Sequence, residues 1–453
     1  MVDRDQHRLT RRKYVGGLAM AGAAGLAGCS GGGPESSGSN TETTENASSG
    51  GNSAQRPTLE TWAWSVHVPP MKELASSFEP TTVNAKGVAV DEINQKLTTA
   101  LQSQSNLPSA SLIRGALLKS LARNGGVRRT TELVEQYSDR VFDVAKTKNR
   151  IDGKWFSIPN DLGPYCVMYN VDLFEEAGLP TDPAKAEQEI QTWDQFIEAG
   201  KTYESETGNK FVALSTFRDA HGLGAAMQTQ NGGRWYNADG DFEYNQQANI
   251  EAGKKVKRIY NEINKPLQMF SSPYWEAYKN EEIAALPAPG WLVGFMIQSL
   301  SEMKGKWRVM LMPSLNGDTP RGSNFGGAGA GIPVALDSDE ADLAMEFLQH
   351  WHLTEEAFNV KLRNGVFPAH FVEGAEQAEA EDPFFGGQQR NKKLVQSAQN
   401  APAQYQRPSI RAWELDQEAH RKFLEEDADV AKTLTETHET IMEELSEEDK
   451  TAT

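Results

Sequence analysis

Apolar and polar positions alternate along Thr58-Leu59-Glu60-Thr61-Trp62-Ala63-Trp64, which predicts a first strand. A helix is expected over 70–78 and a second strand over 83–90. Across 91–103 the apolar residues Ile93, Leu97, Ala100 and Leu101 recur at helical spacing and share one face. This β-α-β-α opening is the rhythm of a parallel sheet covered by helices. Further on, Asp152-Gly153-Lys154 reads as a turn, Phe156-Ser157-Ile158-Pro159 as a short extended piece, and 165–169 as an apolar strand. Asn170 then caps a short helix that carries Leu173 and Phe174 and stops at Gly178 and Pro180. Thr192-Trp193-Asp194-Gln195 has the form of a capping box and starts another helix. A later helix is expected over 250–263. The stretch 416–445 is helical and strongly acidic, which reads as a solvated face. The sequence contains no internal repeat.

The N-terminal region changes the picture. Arg11 and Arg12 precede a small-residue apolar run over 16–27, and that run ends at Leu26-Ala27-Gly28-Cys29. A twin arginine before such a segment reads as a Tat-type export signal. A cysteine after a small-residue cleavage site reads as a lipid attachment point. Residues 1–28 are therefore expected to be a signal peptide, with the protein held by Cys29 on the outer face of the cytoplasmic membrane. A transmembrane helix needs about twenty apolar residues, more than this run supplies. One lipid chain binds a membrane weakly, and stable anchoring usually needs a second signal. Residues 29–56 are mostly Gly, Ser, Thr, Asn and Glu and read as a flexible tether. Asn46-Ala47-Ser48 inside it matches a glycosylation acceptor.

A chain of 453 residues has length for two domains or lobes. Its formal net charge is −18. The first 28 residues carry five basic and two acidic side chains, so the remainder is near −21. Such a balance disfavours nucleic acid and anionic membrane as partners. It is compatible with a high-salt habitat, which unfolding measured against salt would test. Of the two cysteines, Cys29 belongs to the lipid site, and Cys166 is left to act as a small packed hydrophobe.

The residues 152–196 carry a family resemblance. The run Asp152-Gly153-Lys154-Trp155-Phe156-Ser157-Ile158-Pro159 leads into Tyr169-Asn170-Val171-Asp172-Leu173-Phe174, then Gly178-Leu179 and Thr192-Trp193-Asp194-Gln195-Phe196. This resembles the extracellular solute-binding proteins of ABC importers, in the carbohydrate branch that includes maltose-binding protein. Leu286-Pro287-Ala288-Pro289-Gly290-Trp291, the glycine-rich 326–333 and Asn364-Gly365-Val366-Phe367-Pro368-Ala369 match further segments in order. The resemblance covers about 57–445. One departure is Leu107-Pro108-Ser109, which stands where the family often has a Pro-Asp pair.

The resemblance implies an α/β fold of two lobes with a hinge and a ligand cleft between them. Lobe one would be 57–163 with 325–371, and lobe two 164–324 with 372–453. It further implies a monomer that captures a sugar or oligosaccharide, closes on it, and docks on a membrane permease, with no catalytic residues, cofactor or metal. Sugars are bound by aromatic rings on their apolar faces and planar polar groups on their hydroxyls. Candidate ligand-binding residues are therefore Trp64, Ser65, Asp161, Tyr165, Trp235, Trp291, Arg411 and Trp413. Trp62 and Trp64 are expected to share a face, and Arg411 would suit a carboxylate. His67, Arg218, Asp219, His221 and Asn324 are further polar candidates. Trp155 and Trp193 are expected in the core.

Other functions stay open at this point. An exported hydrolase needs a positioned carboxylate pair, and the many acids here do not discriminate. The chain has no Gly-x-Ser-x-Gly or His-Glu-x-x-His, and the glycine run at 326–331 lacks a P-loop lysine. His350 and His352 fall on different helix faces. A sensor in place of the permease is a further alternative, as is a uronic acid, polyol or polyamine in place of a neutral sugar.

Overall fold

A computed structural model of the chain describes residues 57–451 apart from Val90, Asp91, Ala238 and Gln406. The expected signal peptide, tether, Arg11, Arg12 and Cys29 lie outside the described residues. Residues Leu59–Thr453 form one compact unit.

Within that unit the chain builds two sheets. β1 (Leu59–Ala63) pairs in parallel with β2 (Val83–Gly87) on one side and β3 (Ala110–Ile113) on the other. The connections are α1 (Val68–Ser76) and α2 (Ile93–Ser103), and α3 (Gly115–Arg123) follows β3. Ile93, Leu97, Ala100 and Leu101 are the buried residues of α2, as their spacing predicts. The strand Ala328–Gly331 returns antiparallel beside β3, and Ile158–Asp161 closes the order outside it. The second sheet has Tyr165–Asn170 in the middle, with Ala285–Pro289 and Trp307–Leu311 antiparallel on either side. Its core holds Tyr169, Phe174, Trp193, Phe196 and Phe211. Cys166 lies fully buried in the middle strand, and burial pushes its thiol up to about 12. Trp155 is fully buried as well.

Local chemistry explains several element ends. Asn170 accepts hydrogen bonds from the backbone N–H groups of Asp172 and Leu173. The Thr192 hydroxyl and the Gln195 side chain form the reciprocal capping box of the Trp193–Thr207 helix. The acidic C-terminal stretch is divided: Ile410–Glu425 and Val430–Glu444 are separate helices. Asp427 sits at φ 58° between them, and Asp429 caps the second. Its acidity is not wholly a solvated face, because Asp416 is fully buried.

Three residues separate the last strand of the first sheet from the middle strand of the second. In this crossing the Leu162 N–H donates to the Phe367 carbonyl and the Gly163 N–H to Asn324 Oδ1, at 2.9 and 2.8 Å. The Phe325 N–H donates back to the Gly163 carbonyl at 2.9 Å. Crossing segments at 162–164 and 323–327 therefore lie side by side. Gly326 and Gly327 have φ values of 92° and 94°. A Cβ on Gly326 would stand 2.7 Å from the Trp291 indole nitrogen.

Candidate ligand cleft

A cavity of about 870 Å³ opens where the two sheets approach each other. From the first-sheet side it is lined by residues after β1, by the start of α3, and by the end of the Asp143–Asn149 helix. From the second-sheet side come 232–237, Trp291, and the segment 403–417. Its volume lies in the range of small-molecule sites, roughly 300–1,000 Å³.

Six of the eight candidate ligand residues line this space: Trp64, Ser65, Asp161, Trp235, Trp291 and Trp413. Each tryptophan is held from behind. Trp64 directly follows β1 and packs edge-on to His67 at 5.5 Å. The Trp291 indole N–H donates to the Phe325 carbonyl at 2.9 Å. Trp235 stacks on Tyr244 at 5.3 Å, and Trp413 lies nearly parallel to Phe325 at 6.1 Å. Asp161 accepts from the Asn160 side-chain amide at 2.7 Å and from the Ala328 N–H at 3.2 Å. Asn324 and Gln404 are tied to each other, with the Gln404 amide donating to the Asn324 carbonyl at 2.6 Å.

Two candidates lie elsewhere. Tyr165 is buried in the second sheet, where its hydroxyl donates to the Pro287 carbonyl at 3.2 Å. Burial raises its phenol well above the ordinary value, so it remains a neutral core residue. Arg411 sits in the first turn of its helix, is more than half exposed, and pairs with Glu414 at 3.2 Å. The arginine of this segment that lines the cavity is Arg407, whose guanidinium lies 4.0 Å from the Trp413 ring centre. Trp62 does not line the cavity either; its indole N–H donates to Glu60 at 2.6 Å. Trp62 lies within β1, whereas Trp64 follows its last paired residue and lines the cavity. Asp219 is held by the Ser215 hydroxyl at 2.8 Å, while His67, His221 and Asn324 line the cavity.

Sequence reasoning missed Lys148, Arg234, Tyr405 and Arg407, all of which line the space. Gln404-Tyr405-Gln406-Arg407-Pro408, a polar and aromatic run stopped by proline, was the available signal for the last two.

Beneath the cavity a buried network centres on Asp416. Its carboxylate accepts from His221 Nε2 at 2.8 Å, from Arg234 at 2.9 Å and from the Tyr244 hydroxyl. Burial alone would raise this carboxyl, but Arg234 and His221 hold it well below the usual range. His221 itself is pushed down to about 4 by burial, against the pull of Asp416, and so acts as a neutral donor. Donor atoms of His221, Asp416 and His420 lie within 4.8 Å of one another, a spacing a metal could use. The Arg234 guanidinium and the Tyr244 hydroxyl occupy the carboxylate oxygens, so the trio reads as an anchor for Arg234.

A two-lobed α/β molecule with an aromatic cleft between its sheets defines a binding protein that encloses a small solute. The family model of the bacterial extracellular solute-binding proteins matches residues 71–369, and the chain belongs to that family. It is 29% identical over 345 residues to the lactose-binding protein of Rhizobium radiobacter, covering 72% of this chain and 78% of the relative. It is 24% identical over 294 residues to the arabinooligosaccharide-binding protein of Halalkalibacterium halodurans, 62% of each chain. The fold matches the ABC transporter associated binding protein of B. animalis subsp. lactis in complex with beta-1,6-galactobiose. That match has a TM-score of 0.70 at 22% identity and covers 85% of this chain and 97% of the other. Among the described residues, no helix is long and apolar enough to cross a membrane.

Proposed function

We propose that this protein captures a saccharide outside the cell, by closure of its two lobes, and delivers it to the membrane permease of an ABC importer. The observation that carries the reading is the ring of Trp64, Trp235, Trp291 and Trp413 around one interlobe cavity. Flat indoles suit the apolar faces of pyranose rings, and Asp161, Asn324, Gln404 and Ser65 supply planar or small polar groups for hydroxyls. The saccharides named for the relatives support the same class of ligand. Binding without turnover fits a cleft walled by fixed aromatic rings. Lobe one is taken as 57–163 with 325–371, lobe two as 164–324 with 372–453, and Cys29 as the lipid-bearing anchor. Closure must draw on ligand contacts made only when the lobes meet. A polyamine is disfavoured, since Asp161 is the one carboxylate among the described lining residues.

A thermal-shift screen of the full chain against mono- and oligosaccharides, polyols and polyamines tests the reading. A ligand at about a hundred times its dissociation constant adds roughly 2.7 kcal/mol to the folded state. A saccharide is expected to shift the melting temperature, and Trp413→Ala to abolish most of that shift. No response to any saccharide contradicts the reading.

A further inference from the structure

Among the described residues, the lining of the cleft carries more cations than carboxylates. The chain as a whole carries −18. Yet Arg114, Lys148, Arg234 and Arg407 line the cavity, against Asp161. Asp416 neutralises Arg234 from below at 2.9 Å, so among the described lining residues Lys148 and Arg407 stand against the single carboxylate of Asp161. Among the described residues Lys148 donates to one acceptor, the Gly326 carbonyl at 2.5 Å. The cations depress one another. Burial and then the charges of Arg407 and Arg234 push Lys148 down to about 7. Burial and then Arg114 and Arg234 push Arg407 down to about 9.

The backbone adds to the same field. The nine-residue α3 begins at Gly115 with no side-chain cap, and its first turn lines the cavity. A helix start is the positive end of the helix dipole and favours an anion. Here Arg407 Nε lies 3.0 Å from where a Gly115 Cβ would stand. A cation at that end of a helix is placed against the dipole. Stacking explains part of the arrangement: Arg407 covers Trp413 and Arg114 covers Trp64 at 5.2 Å. Such contacts neutralise nothing. Histidines do not alter the count, because His67 and His221, each pushed down to about 4 chiefly by burial, are neutral at pH 7.

We infer that the saccharide taken by this cleft is acidic, and that its carboxylate or sulfate group sits between Arg407, Lys148 and the first turn of α3. The inference rests on the saccharide reading above and narrows its substrate class. Arginine presents a planar fork that matches either group, and lysine adds a point charge.

Titration calorimetry of the full chain at one fixed salt concentration tests it with matched pairs. One pair is a galacturonate disaccharide and the uncharged galactose disaccharide; the other is a sulfated disaccharide and its unsulfated parent. The charged member of at least one pair is expected to bind about tenfold or more tightly than its partner, and the responding pair identifies the group. Arg407→Gln and Lys148→Met should each remove most of that preference, read as the ratio of charged to uncharged affinity within the same variant. Arg407→Lys should keep most of it, and remains informative where the glutamine variant does not fold. Uncharged members binding as well as charged ones overturns the inference and leaves the saccharide reading intact. A charge preference that survives the double substitution also overturns the placement. If no member of either pair binds while an uncharged saccharide of the wider screen does, the inference falls and the saccharide reading stands.

Discussion

Four buried histidines, His67, His221, His352 and His370, are kept neutral chiefly by burial. His67 and His221 are each lowered from 6.5 to about 4. Between those values the unfolded chain binds protons that the folded chain refuses, so stability falls as pH falls. Each contributes at most about 3 kcal/mol to that loss. Melting temperature is expected to decline steadily from pH 6.5 to pH 4, and a flat profile across that window contradicts the assignment. Other single residues were unequally legible in the sequence. Trp64, Trp235 and Trp291 stand at a strand end or after turn glycines, places where a local pattern points outward, whereas Trp413 lies inside a helix. Lys148 and Lys146 are two residues apart and read alike as solvated lysines. Which one reaches the cleft depends on Gly326, 178 positions away. Arg407 and Arg411 are separated by a helix start at Ser409, which turns Arg411 outward and leaves Arg407 facing in. No local rule marks that exchange.

At the scale of elements, caps were readable because their hydrogen bonds span two or three residues, as at Asn170 and Thr192. The strands Ala285–Pro289 and Trp307–Leu311 were not, since both are defined by pairing with a distant Tyr165–Asn170. Two prolines in the first of them hide it further; as one of the two outer strands of a three-stranded sheet it can tolerate them. The crossing at 323–327 runs into the glycine-rich 326–333 read from the sequence, and its backbone shows why glycine stands there. Gly326→Ala forces a Cβ to φ 92° and within 2.7 Å of the Trp291 indole nitrogen. The expected cost is about 1–3 kcal/mol, with weakened ligand binding because Trp291 must move. Denaturant unfolding and a ligand titration of this variant check it, and values matching the parent protein count against a fixed crossing.

The whole molecule is organised around one interlobe space, and its far end helps to hold that space. Asp449, near the C-terminus, pairs with Lys119 at 2.6 Å and Arg123 at 3.0 Å on α3. The same residue's carbonyl accepts from Tyr236, whose ring belongs to the core around the second sheet. These ion pairs are partly exposed, so together they are worth about 1 kcal/mol at most. Asp449→Asn is therefore expected to lower ligand affinity roughly fivefold or less, by loosening the lobes without touching the cavity. A much larger loss would mean that the tail does more than tie the lobes. On the proposed function, ligand is enclosed between two lobes that close on it. Small-angle X-ray scattering of the full chain, with and without a saturating saccharide found in the screen, tests this most directly. A smaller radius of gyration is expected in the bound state. Superimposable curves from protein shown by calorimetry to be saturated would contradict it.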